Sequence, residues 1–73
     1  MYVNLRYELM VKGVSQKLLA QKIGMGSTTI SEKMNGKQDF KLKECLEIKK
    51  ILKTDLTVDE LFAWKDVENE ILS

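Results

Sequence analysis

The sequence predicts an all-α fold, and three observations carry that expectation. Its 73 residues contain no proline, so no position is barred from a helix interior by a missing N–H. No alternation of apolar and polar residues runs longer than a few positions, as a half-buried strand would require. Lys, Leu, Glu and Met, all strong helix formers, recur throughout. A chain of this length forms one domain and buries roughly 60% of its unfolded surface, enough to fold with little stability in reserve. With 44% hydrophobic and 32% charged residues, the composition is that of a globular domain rather than a disordered segment.

The elements follow in order. A first helix is expected over Val3–Lys12, with Leu5 and Leu9 on its inner face and Gly13 as its stop. Ser15 is a suitable N-cap for a second helix, Gln16–Ile23, whose inner face carries Leu19, Ala20 and Ile23. Gly24-Met25-Gly26 interrupts it, with Gly24 where a left-handed residue is wanted. A third helix, Ser27–Met34, closes at the turn signal Asn35-Gly36. Phe40 folds inward from the polar loop that follows. The fourth helix, Leu42–Leu52, carries an apolar stripe of Leu42, Cys45, Ile48 and Leu52, with Lys43, Glu47, Lys49 and Lys50 outside. Thr57 and Glu60 form a capping box that opens a short fifth helix. Leu61, Phe62, Trp64, Val67 and Ile71 then continue at rough helical spacing through a tail over 64–73. Residues 1–73 read as one unit without linker or repeat.

Several function classes drop out. No apolar run approaches the ~20 residues that cross a bilayer, and the first ten residues lack the pattern of a signal peptide. The single cysteine, Cys45, cannot form an internal disulfide, which fits a cytoplasmic protein. It falls within the apolar stripe, as a small core residue rather than a nucleophile. Met10, Met25 and Met34 are expected in core or turn packing. Histidine is absent, so no His-based triad or His/Cys metal site can be assembled. Asp59 and Glu60 sit at a helix start, where negative charge is favourable in any case. No catalytic residue, metal site, cofactor or small-molecule ligand is expected.

The formal net charge is only +1, yet its distribution is uneven. Residues 1–54 hold eleven Lys or Arg against five acids, whereas residues 55–73 hold Lys65 against six acids. Such asymmetry hints at nucleic-acid binding through the basic end.

Residues 15–36 are the most informative stretch. Two short helices joined by a three-residue turn cross steeply. That crossing asks for a small residue at the contact (Ala20), a positive-φ residue in the turn (Gly24) and an apolar plug between the helices (Ile30). With Gln16 before them and Ser31, Asn35 and Gly36 after, these residues resemble the phage repressor and Cro-like regulators of the XRE family. Asn4 to Leu9 with Gly13, and Asp39 to Glu44, add to the resemblance, which spans roughly residues 4–62. It implies a five-helix lambda-repressor-like DNA-binding domain with a helix-turn-helix and a short C-terminal extension. The chain departs from the pattern at Gly26, where Ser or Thr usually caps the recognition helix, and at Lys33, where many members carry an apolar residue; Met34 is placed to supply that packing.

The family's geometry sets the recognition helix, about 27–34, in the major groove with its N-terminal end at the bases. Carried onto this chain, it assigns base reading to Ser27, Thr28, Ser31 and Glu32, with Thr29 half-buried against the second helix. Hydroxyls bond to either base type, a threonine methyl meets a thymine methyl, and a carboxylate accepts from cytosine. Gln16 and the N–H groups beside it hold phosphate, joined by Lys33, Asn35, Lys37 and Lys41. The resemblance also implies a two-fold operator and hence a homodimer, expected through Phe62, Trp64, Val67 and Ile71 with the acidic end away from DNA. The leading expectation is a transcriptional regulator of double-stranded DNA, a phage or prophage repressor or Cro-like protein. An antitoxin or a restriction controller would use the same scaffold. A protein–protein interaction module on a helix-turn-helix scaffold without DNA binding is the alternative from another class.

Overall fold

Polar caps and left-handed residues set the helix ends. The computed structural model describes residues 1–65, in which five helices follow one another: α1 (Val3–Lys12), α2 (Gln16–Ile23), α3 (Ser27–Met34), α4 (Leu42–Leu52) and α5 (Val58–Leu61). No strand occurs among the described residues. Ser15 caps α2 by accepting from the Leu18 N–H at 3.1 Å. At the other end Gly24 takes φ +70°, and Met25 N–H returns to the Ala20 carbonyl at 2.8 Å. That closure satisfies a carbonyl the helix itself leaves free. The same device ends α3, where Gly36 at φ +81° lets Lys37 N–H reach the Glu32 carbonyl at 2.9 Å. Both glycines stand where a side chain would be strained.

The core is shared by all five helices. Leu5, Leu9, Leu19, Ala20, Ile30, Met34, Ile48, Leu52 and Leu61 form one buried cluster. Ile30 and Ala20, 1% and 2% exposed, close the angle between α2 and α3, and Met34 supplies the packing asked of it. Ile23, Met25 and Phe40 are half-buried against the same cluster. Cys45 is buried; its burial, followed by the charge of Glu44, holds the thiol above its ordinary pKa, as befits a packing residue.

The structure corrects three expectations. Leu42 is 69% exposed: it lies about a quarter turn away from the line through Cys45, Ile48 and Leu52. Met10 is 71% exposed, about a third of a turn from Leu5 and Leu9. Lys49, expected outside α4, bends inward instead. Its ammonium donates to the carbonyls of Thr54 at 3.2 Å and Leu56 at 2.7 Å, tying down the chain after the helix.

The fifth helix is a single turn. Thr57 Oγ1 accepts from Glu60 N–H at 3.2 Å while Glu60 Oε1 accepts from Thr57 N–H at 3.0 Å, the reciprocal pair the sequence predicts. Helical spacing does not continue through Phe62 and Trp64, because Lys65 leaves to pair with the N-terminus. Lys65 N–H donates to the Met1 carbonyl at 2.9 Å, and the Met1 amine donates to the Lys65 carbonyl at 2.7 Å. Four aromatic residues meet edge-on at this end. Tyr2 lies 5.5 Å from Phe40, 5.9 Å from Phe62 and 4.9 Å from Trp64, and Phe40 lies 5.1 Å from Phe62. No described helix is long and apolar enough to cross a membrane.

Candidate nucleic-acid interface

The α2–α3 pair is built to project one face of α3. Gly24 turns the chain, Ile30 and Met34 anchor the helix inward, and the opposite face is left outside. Ser27 and Thr28 are exposed at its N-terminal end, with Ser31 and Glu32 half-buried one turn on. The spacing of three and four residues places all four on a common face. Thr29 is half-buried beside them, as expected. Gly26 caps the helix with extended backbone and no side-chain acceptor, so the first-turn N–H groups carry their partial positive charge beside Ser27 and Thr28.

The four positions differ in freedom. Glu32 Oε1 accepts from the Gln38 amide at 3.1 Å, so one of its oxygens is already engaged within the loop that follows α3. Ser27, Thr28 and Ser31 present short hydroxyl side chains with no bond to another element among those described. This face offers donors and acceptors of little reach.

Cations flank it. Lys37 and Lys41 are exposed beyond the C-terminal end of α3, and Gln16 is half-buried at the first position of α2. Asn35 is exposed, and its Oδ1 accepts from Arg6 Nη2 at 3.3 Å. The bond joins α1 to the end of α3 and brings a guanidinium to the rim of the interface. Arg6 is half-buried, and its Nε has no partner. Sequence reasoning missed this residue, since nothing local connects positions 29 apart.

Lys33 stands apart from the other expected phosphate contacts. It is 5% exposed, and its ammonium lies 2.6 Å from Glu44 Oε1. The same carboxylate oxygen accepts from the Lys41 N–H at 2.9 Å and so caps α4. Burial alone would raise the Glu44 pKa, but the hydrogen bonds from Lys33 and Lys41 and their charges outweigh it and hold the carboxyl below its ordinary value. Lys33 is a strut between α3 and α4, with no charge left on the surface to meet a phosphate.

The residues expected to join two copies divide as well. Phe62 is half-buried in the aromatic cluster of its own domain. Trp64 is 51% exposed; one face of its ring covers Gly36, where an added Cβ would come within 2.5 Å of Cη2. The tail thus starts beside the end of α3 rather than away from it. Val67 and Ile71 lie outside the described residues. Among the described residues, no group of three or more His, Cys, Asp or Glu is placed to hold a metal ion.

Comparison of the chain with protein-family models, with curated proteins and with solved structures returns no match.

Proposed function

We propose that this chain is a sequence-specific double-stranded DNA-binding regulator of the phage repressor and Cro-like type, using α2 and α3 as its helix-turn-helix. The observation that carries the reading is the pairing of Gly24-hinged helices with an outward face of Ser27, Thr28 and Ser31 flanked by Lys37 and Lys41. In this reading α3 enters the major groove N-terminus first. Thr28 offers a methyl to thymine, and the hydroxyls of Ser27 and Ser31 bond to base edges. Glu32, held by Gln38, accepts from a cytosine amino group through its other oxygen.

Phosphates are met by Lys37, Lys41, the Asn35 amide and the start of α2 at Gln16. Arg6, held at the rim by Asn35, joins this set. Lys33 does not, because its charge is spent on Glu44. Short side chains reading few edges leave a large share of discrimination to DNA shape and deformability.

Selection from a randomised duplex library, followed by a salt titration on the selected site, tests the reading. Binding through several phosphate contacts loses affinity with a slope of about −0.9 per contact on a double-logarithmic plot. A chain that enriches no sequence and shows no salt-sensitive DNA affinity would overturn it.

A further inference from the structure

The described residues end where two surfaces of opposite charge meet. Lys65 is held against Met1 by the paired bonds given above, and Trp64 beside it covers Gly36. On one side of this point lies a groove of about 580 Å³, lined by Glu8, Asp59 and Glu60 with Ala63 in its wall. On the other side lies the basic rim of α3. Its loop, residues 35–41, is pinned near both ends to one aromatic cluster. Gly36 lies under Trp64, and Phe40 packs on Tyr2 and Phe62 at 5.5 and 5.1 Å. Exposed Lys37 and Lys41 are therefore each one residue from a contact with that cluster. Arg6 joins them through its bond to Asn35. Asp39 is the single acid of the loop. Among the described residues, none of the three cations forms an ion pair.

The eight residues that follow, 66–73, include Asp66, Glu68 and Glu70 and no base. We propose that this segment occupies the basic rim of its own chain, its carboxylates resting on Lys37, Lys41 and Arg6 where phosphates would otherwise lie. Reach permits it. An extended chain advances about 3.3 Å per residue, so Glu68 and Glu70 can extend about 10 and about 17 Å from Lys65. Charge selects it. The carboxylates of Glu8, Asp59 and Glu60 repel further carboxylates from the groove, whereas the rim holds three cations that no described acid pairs with.

Each exposed ion pair is weak by itself. Tethering changes that, because once one pair forms the next meets its partner at high effective concentration. The tail is then a built-in competitor for the proposed backbone contacts. It lowers affinity for every duplex alike, since phosphate contacts carry no sequence information. Only this consequence rests on the DNA reading; the contact itself does not.

Two measurements on the full chain test it. The first needs no DNA: a carbodiimide joins touching carboxylates and amines as amides, and mass spectrometry of the single-chain product locates the links. Links from Glu68 or Glu70 to Lys37 or Lys41 are expected at low salt. They are expected to fade as added salt shortens the screening length from about 10 Å to about 3 Å. Absence of those links, or equal linkage to Lys12, Lys50 and Lys53, overturns the proposal. The second measurement compares the duplex affinity of two variants that lose the same charge. Asp66→Asn with Glu68→Gln and Glu70→Gln is expected to bind about three- to tenfold tighter than the parent at low salt. Glu8→Gln with Asp55→Asn and Asp59→Asn, on the side of α1 and α5, is expected to gain clearly less. Equal gains would trace the effect to overall charge and overturn the proposal. If neither the parent nor either variant binds any duplex, the DNA reading fails and the links alone decide the contact.

Discussion

The outer faces of α1 and α3 are both single helix faces backed by the same core, yet they differ in kind. α3 shows Ser27, Thr28 and Ser31, short and polar, with lysines beyond its end. α1 shows Tyr7, Met10 and Val11, large and apolar, with charge only at its margins. A hydroxyl face keeps its hydrogen-bonding capacity when it meets another polar surface. An apolar face gains by leaving water. The contrast separates two kinds of surface on one small domain: a short-chained polar face on α3 and a large apolar one on α1.

The largest expected effect lies beneath the α3 face. Glu44→Ala leaves the Lys33 ammonium buried without its acceptor and uncaps α4, with an expected loss of about 2–3 kcal/mol by urea denaturation. Lys33→Met in the same background is expected to restore most of it, as apolar replacement of a buried pair often does. A Glu44→Ala protein as stable as the parent would remove the strut on which the orientation of α3 rests.

Gly36→Ala comes next. A left-handed backbone costs a residue with a Cβ about 1–2 kcal/mol, and the new methyl meets the Trp64 ring. Lower stability and a shifted tryptophan emission are expected together, because the ring must move off Gly36.

Acid acts on the same supports. Hydrogen bonds from Thr57, its N–H first and its side chain second, hold Glu60 below its ordinary pKa, and Glu44 is held low as described. Carboxyls depressed in the folded state make the unfolded chain bind more protons as pH falls. Their contribution is therefore complete above the ordinary glutamate range and is lost as pH drops through their own lower values. Denaturation midpoints followed from neutral to acid pH should decline there, and Glu44→Ala should flatten part of that decline.

Two smaller effects separate reading from holding on DNA. Thr28→Ala is expected to change base preference at one position by about 1 kcal/mol, the low end for a base contact. Lys37→Ala is expected to weaken all duplexes alike and reduce the salt slope by about 1. On α1, Met10→Glu should leave folding stability within about 0.5 kcal/mol, as exposed substitutions do.

The helices were legible because their signals are local. Gly13, Ser15, Gly24 and the Thr57/Glu60 box each act within a few residues, so the sequence places the ends of α1 to α4 and the start of α5. The face of α3 was legible for the same reason, since Ile30 and Met34 define its inside. What escaped is non-local. Lys33 reads as a surface lysine until Glu44 is brought beneath it from the next helix. Arg6 gains its role only when α1 meets the end of α3. The inward turn of Tyr2 depends on Phe40 and the Phe62/Trp64 pair converging from two separate segments. Leu42 and Met10 fit an apolar spacing but fall too far around their helices to reach the core, a difference of about a quarter to a third of a turn.

In the proposed function α3 reads DNA while lysines around it hold the backbone. The most direct measurement is the affinity of parent, Thr28→Ala and Lys37→Ala for a selected duplex and for single-base variants of it, across a range of salt. Thr28→Ala is expected to alter the ranking of the duplexes, whereas Lys37→Ala is expected to lower all affinities in proportion with a shallower salt slope. Identical ranking and identical slope in all three proteins would contradict it.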